Sequence, residues 1–488
     1  MSKIAEHREE VQCAFEAALS YADSSERESF FTFEAKTWAL LLGLGRALTS
    51  LFLARQVSRP RKTEYKSGKS AFVLDGALRV SELGTRFGKV DFERPVGRAL
   101  GRRNGKVDLP VDRELGLCGG FSLGTVVAIA RLAAMMAFAP ARHTFAEFHG
   151  WTPSSRAALR MVDAVGAEAR PFLEQAPAPK DDGDIIVIQS DGRGAPMITT
   201  TEFERRAQAH GKHKGTKRAW RRERKRANPR PRRRKGDKSK NAKVAVVGVV
   251  YTLRKTKDGY EGPINKRVIG TFESHRALGK WLRHEADKRG YGKKRAIFLG
   301  DGSEHIWRMQ QEFFPEAECC LDWYHVVEKL WEVGRFFNAE GSPELAKWVN
   351  VRKKLLRDGK VWSVIDGLSA LRGRIPKTGP GTKDKRKRLD DVILYFGEHA
   401  ERMQYDRLRS EGLDIGTGAV EGAVRNVVAV RLDGPGMRWG RERAELVLHL
   451  RCILVNGQWN DFVAHLARRN GVMLRAQPIE ATPHAAAA

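Results

Sequence analysis

Two aspartates in this sequence each follow a run of mainly apolar residues and directly precede a glycine. Asp191 follows the string DIIVIQS, and Asp301 follows the string AIFLG. Carboxylates at the ends of neighbouring strands repel each other unless cations lie between them. A pair of Mg²⁺ ions relieves that repulsion, and such ions activate a water or a 3′-hydroxyl and stabilise the leaving oxygen of a phosphodiester. The alternative is that both aspartates are ordinary turn residues at strand ends.

A third carboxylate usually completes a site of this kind, and Glu421 is the best candidate. It lies in the string GTGAVEGAVRNVVAV, which predicts an apolar helix that starts after Gly416 and Gly418. A single glutamate among apolar residues needs a partner. That partner is either a metal ion or, as the alternative, the guanidinium of Arg425 four residues later.

Four strings in this part of the chain carry a resemblance to a known family. They are SDGRG, GDGSEHIW, LDWYHVVEKLW and GTGAVEGAVRNVVAVRLDGPGMRW. Taken in this order, they resemble bacterial insertion-sequence transposases of the ISKra type, which belong to the DDE, RNase H-like transposase group. The resemblance covers most of residues 184–465.

The resemblance implies a fold and a site. The fold is α/β, an RNase H-like mixed-sheet catalytic domain with a helical insertion before the glutamate helix, plus an α+β N-terminal DNA-binding region. Asp191, Asp301 and Glu421 then bind two Mg²⁺ or Mn²⁺ ions. Asp322 and His325 form an Asp-x-x-His signature near the scissile phosphate, where His325 donates a hydrogen bond to a phosphate oxygen. The alternative for His325 is a histidine with a purely structural role in the core.

The resemblance also implies an activity. A transposase binds the ends of an insertion sequence, cuts phosphodiester bonds by two-metal catalysis and joins the 3′-hydroxyl ends to target DNA. Its partner is double-stranded DNA, both terminal inverted repeats and target, and paired ends imply a homo-oligomer in a synaptic complex. We expect a bacterial cytoplasmic, nucleoid-associated protein. The alternatives are a structure-selective nuclease on the same fold and a non-catalytic DNA-binding protein derived from a transposase.

The elements that must position these residues follow from the apolar pattern. Strands are predicted at 184–192, 244–253, 266–273 and 295–302, with a fifth inside AECCLDWYH, and an amphipathic helix is predicted at 274–290. Strands mixed with helices in this order favour a mixed α/β sheet.

The same pattern divides the chain into seven segments. They are an N-terminal helical segment (1–58), a small β-rich subdomain (59–120), a helical, helix-turn-helix-like DNA-binding region (121–180), the first part of the catalytic core (184–333, with a basic disordered insertion at 205–243), a helical insertion (334–410) interrupted by a basic loop (377–388), the second part of the core (411–470) and a tail (471–488).

Charge points to a polyanionic partner. The chain has 488 residues and a formal net charge of +29, and its 41% hydrophobic residues suffice for real cores. Residues 205–243 hold 19 Lys or Arg against two acidic residues. This run is either a solvated linker or an arm that neutralises phosphates. Its predicted DNA-binding residues are Arg221, Arg222, Arg224, Lys225, Arg226, Arg232, Arg233 and Arg234.

A second basic set follows Glu421. Arg425, Arg431 and Arg438 are predicted to contact phosphates, because a guanidinium makes planar, bidentate phosphate contacts. Trp439 is predicted to stack on an unpaired or flipped base near a cut end. The alternative for Trp439 is packing at the flank of a helix.

Cysteine content and hydropathy exclude two further classes. The five cysteines show no Cys-x-x-Cys spacing, which argues against a disulfide scaffold and a zinc ribbon, and leaves a zinc site at Cys118 doubtful. The most apolar early run, Leu40–Ala54, contains Arg46 and is too short to span a bilayer. We therefore expect no membrane partner.

Overall fold

The structure is a computed structural model that describes residues 3–24, 28–68, 70–100, 107–199, 201, 204 and 242–469. The basic residues predicted at 221–234 and the tail at 471–488 lie outside the described residues.

Two long helices begin the chain, α1 (Lys3–Ser24) and α2 (Phe30–Val57), and they pack along each other. The hydroxyl of Ser29 caps α2 by accepting from the Thr32 N–H at 3.2 Å. With 28 residues, α2 is by length and composition able to cross a membrane, and it is the one such helix among the described residues. The length argument drawn from Leu40–Ala54 therefore fails, because the helix extends well beyond that run. In the structure α2 also packs on the first sheet.

The first sheet is antiparallel, in the order β1-β2-β3-β4. Its strands are β1 (Glu64–Ser67), β2 (Ser70–Thr85), β3 (Gly88–Ala99) and β4 (Val107–Asp108). A small core that includes Leu53 of α2 and Leu83 and Val90 of the sheet holds these elements together. Nearby, Cys118 is fully buried and its thiol donates to the Gly116 carbonyl, so it behaves as a packed side chain.

Four helices follow: α3 (Pro110–Glu114), α4 (Leu123–Met135), α5 (Phe138–His149) and α6 (Ser155–Gln175). The predicted helix, turn and helix at α5–α6 are present, and Ser154 caps α6 by accepting from the Ala157 N–H at 3.2 Å. One face of α6 is buried, with Met161, Val162 and Val165 in the same hydrophobic core as the second sheet. The predicted domain boundaries stay predictions, but a single core runs across the one drawn at 180–184.

The second sheet has five strands in the order β7-β6-β5-β8-β9. Its elements are β5 (Ile185–Pro196), β6 (Ala242–Thr256), β7 (Gly259–Thr271), α7 (His275–Lys288), β8 (Arg295–Gly300), α8 (Glu304–Phe313) and β9 (Glu318–Leu321). β8 runs parallel to β5 and β9, whereas β6 is antiparallel to both β5 and β7. The mixed α/β sheet expected from the sequence is therefore present.

Burial on both faces explains the apolar strand sequences. Ile185–Ile188 of β5 are at most 3% exposed, because helices cover the sheet on either side. On one face, α7 approaches so closely that a Cβ on Gly248 of β6 would lie 2.5 Å from Leu282. The sheet is thus a rigid platform for residues at its strand ends.

Helices make up the rest of the described chain. α9 (Trp323–Gly334) follows β9, and the helices of the insertion are α10 (Pro343–Arg357), α11 (Val361–Arg374), α12 (Thr382–His399) and α13 (Tyr405–Ser410), with a 3₁₀ turn at Ala400–Arg402. Next come α14 (Gly418–Val424), a π-helical turn (Arg425–Ala429), a short turn (Val430–Leu432), α15 (Arg441–Val455) and α16 (Trp459–Arg468). The prediction of a basic loop at 377–388 is partly wrong, since the second half of this segment forms the first turns of α12.

Candidate active site

The two aspartates lie at the point where β5 and β8 stop pairing. The last paired residues are Ser190 of β5 and Gly300 of β8, so Asp191 and Asp301 are the next residue on each strand. Adjacent strands lie about 4.8 Å apart. Asp191 is not at a strand end as expected, because β5 continues to Pro196 as a two-stranded ribbon with β6. The strand that ends there is β8, the parallel partner of β5.

Each aspartate is fixed by one backbone hydrogen bond. The Gly192 N–H donates to Oδ1 of Asp191 at 2.6 Å, and the Ser303 N–H donates to Oδ1 of Asp301 at 2.8 Å. These contacts restrict the rotation of both carboxylates, and within the described part of the chain no donor engages Oδ2 of either one. Both side chains are half-buried.

The charges of neighbouring residues affect the pKa of Asp191. Burial raises the pKa of Asp191 above its usual value, and the charges of Asp301 and Glu421 raise it further. The charge of His325 acts in the opposite direction on the same carboxyl group. Asp191 therefore lies within electrostatic reach of Asp301, Glu421 and His325.

Glu421 is held over the sheet by its helix. The Val420 N–H donates to Oε1 of Gln189, a buried residue of β5, at 3.0 Å. The Thr417 hydroxyl donates to Oε1 of Glu421 at 3.1 Å. The alternative partner, Arg425, is exposed, and no ion pair links it to Glu421 in the part of the chain that the structure describes.

Asp322 and His325 form a fixed pair. Asp322 is fully buried at the N-terminus of α9, where its Oδ2 accepts from the His325 backbone N–H at 2.9 Å and from Nδ1 at 2.6 Å. Its Oδ1 accepts from the Thr417 N–H at 2.7 Å. With both oxygens engaged and no exposure, Asp322 cannot touch a substrate. It is corrected from a catalytic residue to one that positions His325 and the segment before Glu421.

The pair shifts the pKa of both members. The hydrogen bond from His325 to Asp322 raises the pKa of the imidazole to about 9, so the ring is protonated at neutral pH. Burial alone raises the pKa of Asp322, but the hydrogen bonds from His325 and Thr417 outweigh it and hold that pKa below its usual value. The side chain of His325 is 40% exposed, which leaves Nε2 as the ring nitrogen that a substrate can reach.

Three residues at this place could offer ligand atoms to a metal ion. One possible ligand atom from each of Asp322, His325 and Glu421 lies within 4.8 Å of the others. The oxygens of Asp322 already accept three hydrogen bonds, and among the described residues Asp191 and Asp301 are not part of this group. Oxygen donors of this kind suit Mg²⁺ and Mn²⁺.

Two predicted DNA contacts are wrong, because both side chains are buried. Arg431 is 2% exposed; its Nε donates to the Ala133 carbonyl at 2.8 Å, and its guanidinium lies 5.1 Å and 4.6 Å from the ring centres of Phe138 and Trp439. Trp439 is 4% exposed and its Nε1 donates to the Leu432 carbonyl at 3.0 Å. The alternative of structural packing therefore holds for Trp439.

The other predicted contacts differ in position. Arg425 and Arg438 are exposed, so both side chains are accessible to DNA. The sequence analysis missed Arg193, which lies two residues after Asp191. Its Nη2 forms an ion pair with Oδ2 of Asp433 at 2.8 Å. It also missed Gln189, although a polar residue inside the apolar string IIVIQS was a usable signal. Nothing in the sequence pointed to Thr417.

Comparison with known proteins adds one structural likeness. No family model matches the chain, and no curated protein matches it. Among solved structures, the chain is similar to a Drosophila P element transposase strand transfer complex, with 10% sequence identity and a TM-score of 0.24 over 71% of this chain and 82% of that chain. The functional argument therefore rests on the geometry of the site.

Proposed function

We propose that this protein is a metal-dependent DNA transposase of the DDE type with an RNase H-like catalytic domain. The observation that supports the proposal is the position of Asp191 and Asp301 directly after the last paired residues of β5 and β8, with the Glu421 helix bonded to Gln189 of β5 and a protonated His325 nearby. These residues come from three distant parts of the chain.

The order of the elements supports the proposal. A mixed five-stranded sheet carries two of the aspartates, and five helices, α9–α13, separate β9 from the helix that carries Glu421. A helical insertion between the fifth strand and the glutamate helix is the arrangement that the resemblance to ISKra-type transposases implies.

The chemistry of the donor set fits two Mg²⁺ or Mn²⁺ ions. Three carboxylates that repel one another, with few competing hydrogen bonds and no pairing cation among the described Lys and Arg residues, favour divalent cations between them. Such ions, when bound, activate a water or a 3′-hydroxyl and stabilise the leaving oxygen. Asp191, Asp301 and Glu421 hold them.

His325 supplies a fixed cationic donor. Asp322 holds Nδ1, so the ring presents Nε2–H, and a protonated ring favours the negatively charged oxygen of a scissile phosphate. Asp322 also accepts a hydrogen bond from the Thr417 N–H. It therefore links His325 to the segment that leads to Glu421. The protein's own contribution is therefore orientation and charge.

The proposed partners are terminal inverted repeats and target DNA, held by a homo-oligomer in the cytoplasm, at the nucleoid. The net charge of +29 supports a polyanionic partner. Arg425 and Arg438 are exposed beside the Glu421 helix, where they can meet phosphates.

A strand-transfer assay tests the proposal. The substrate is a duplex that carries the inverted repeats flanking the gene, incubated with Mg²⁺ or Mn²⁺, with and without target DNA. We expect end cleavage and joined products; Asp191→Ala, Asp301→Ala and Glu421→Ala each abolish both while binding persists. Asp366→Ala, an exposed aspartate on α11, is the matched control. Cleavage without joining indicates a structure-selective nuclease, and binding without cleavage indicates a non-catalytic DNA-binding protein.

A further inference from the structure

A cavity of about 370 Å³ opens at the start of the helix that carries Glu421. Its walls are the side chains of Tyr251, Trp323 and Tyr324, residues 414–416, 418 and 419, and the β6–β7 hairpin at Pro263 and Lys266. The volume is at the lower end of the range for pockets that bind small ligands. Two of its walls belong to the site, since Tyr324 directly precedes His325 and the segment 414–419 leads to Glu421.

Aromatic rings dominate the cavity, and one of them is accessible. Trp323 and Tyr251 are 7% and 3% exposed, and Trp323 is fixed edge-on against Tyr405 with ring centres 5.1 Å apart. Tyr324 is 62% exposed at the mouth. Its ring rests on Gly416, where an added Cβ would lie 2.6 Å from the ring. The glycine thus leaves room for the Cδ2–Cε2 edge of the ring.

Polar groups of both signs line the same cavity. The Tyr251 hydroxyl accepts from Nε2 of Gln189 at 3.1 Å, so its own proton is available to a ligand. Asp414 is exposed and lies near enough to add to the effect of burial in raising the pKa of Tyr251. Lys266 is exposed on the hairpin opposite. The cavity therefore offers an acceptor, a donor and a cation around an aromatic floor.

We propose that this cavity receives a nucleobase extruded from the DNA strand whose phosphate lies at His325, and that it favours a base with an exocyclic amino group. The base stacks on Tyr324, its amino group donates to Asp414, and Lys266 faces the phosphate of the extruded nucleotide. The inference rests on the proposed function in taking DNA as the substrate and in placing a DNA phosphate at His325. Trp439 was expected to stack on a base but is buried. In this proposal Tyr324 has that role.

Hydrogen bonds of Gln189 connect the cavity wall to the helix that carries Glu421. Gln189 contacts the Tyr251 hydroxyl in the cavity wall and, through Oε1, the Val420 N–H of the Glu421 helix. Tyr324 and His325 are consecutive on the first turn of α9, so their side chains point in different directions from one rigid helix end. A nucleotide with its phosphate at His325 thus has the exposed aromatic Tyr324 on the adjacent residue.

Binding without cleavage tests the inference. The probes are two sequence-matched duplexes, one fully paired and one with a single bulged 2-aminopurine, in Ca²⁺ buffer to prevent strand cutting. We expect the full-length protein to bind the bulged duplex about tenfold more tightly, the scale of one base stacked on an aromatic ring. We also expect 2-aminopurine fluorescence to be quenched on binding.

Three variants separate the outcomes. Tyr324→Ala abolishes the preference and the quenching while the affinity for the paired duplex is unchanged, and Tyr324→Phe keeps both. Trp362→Ala, which removes an aromatic of matched exposure (63%) on α11, changes neither. A preference that survives Tyr324→Ala, or none in the wild type, overturns the inference. Because the assay needs no catalysis, a failure of strand transfer leaves this result interpretable.

Discussion

Tyr395 of the helical insertion packs its ring into the space beside Gly302, one residue after Asp301. A Cβ on Gly302 would lie 1.9 Å from this ring, whose hydroxyl is buried. Burial, with added repulsion from the charge of Asp301, raises the pKa of Tyr395, so the hydroxyl stays protonated. The insertion therefore sets the path of the Asp301 loop.

This contact predicts that Gly302→Ala lowers cleavage at least tenfold, because the new methyl group displaces the Asp301 loop. Overpacking of this kind costs about 1–3 kcal/mol. The measurement is cleavage rate together with thermal unfolding. Combining Gly302→Ala with Tyr395→Ala relieves the overlap, so the double variant is more active than Gly302→Ala alone. Equal rates for the two would show that the ring does not control the loop.

The burial of Asp191, with added repulsion from Asp301 and Glu421, predicts that Asp191→Asn raises the thermal stability of the metal-free protein. The raised pKa of Asp191 means that its ionised form is disfavoured by folding, so a neutral amide removes a destabilising charge. Mg²⁺ should stabilise the wild type by about 2.7 kcal/mol at a hundredfold excess over Kd, and have a smaller effect on the variant. Calorimetry with and without Mg²⁺ measures both. A lower melting temperature for metal-free Asp191→Asn would refute the repulsion.

The Asp322–His325 pair predicts a pH dependence of stability in metal-free protein. Because the folded pKa of His325 is about 9, above its unfolded value of about 6.5, its contribution is complete below pH 6.5 and is lost as pH rises through 9. Thermal unfolding of wild type and His325→Gln across pH 6 to 10 measures it. We expect the wild-type advantage to shrink steadily over that range. An advantage that stays constant with pH would contradict a protonated imidazole.

The burial of Arg431 predicts that Arg431→Ala destabilises the fold by about 3 kcal/mol rather than weakening DNA contacts directly. The substitution removes a hydrogen bond to the Ala133 carbonyl and the contact with two aromatic rings. Denaturant unfolding measures the change in the free energy of unfolding. The matched control is Arg438→Ala, an exposed position, which should leave stability unchanged and reduce DNA affinity. The reverse pattern would show that the arginine reaches DNA.

The basic run predicts a strong salt dependence of DNA binding. Replacing the Lys and Arg residues between 205 and 241 by Gln should weaken binding and flatten the slope of log K against log salt, by about 0.9 for each phosphate that the run no longer neutralises. The replacement stops at 241, because Ala242 and Lys243 pair with Pro196 and Ala195 in the sheet. Fluorescence anisotropy at several salt concentrations measures the slope, and an unchanged slope would reduce the run to a spacer.

The sequence predicted those parts of the fold that depend on local pattern. The apolar runs before Asp191 and Asp301 predicted β5 and β8, because burial on both faces demands such residues. The extension of β5 past Asp191 was missed, since Gly192–Pro196 has no alternating pattern and pairs within the sheet with β6 alone. The first half of β7, which contains Pro263, was missed for a similar reason.

The roles of the arginines and of Asp322 depend on distant contacts. Arg431 and Arg438 look alike in sequence, but Arg431 meets Phe138 and Ala133, some 300 positions earlier, and only the tertiary fold reveals that burial. Asp322 was chosen from a resemblance. Its hydrogen bond to the Thr417 N–H joins residues on either side of the helical insertion, so only the tertiary fold reveals it. Chain pattern carries no information on either contact.

The ribbon formed by β5 and β6 beyond Asp191 also fixes where the basic run is attached. Its last ladder pair, Pro196 and Ala242, lies five residues past Asp191, about 17 Å along the strand. A polyanion captured anywhere on the intervening chain is thereby tethered near the carboxylates, so its later encounter with them is an intramolecular event at raised effective concentration.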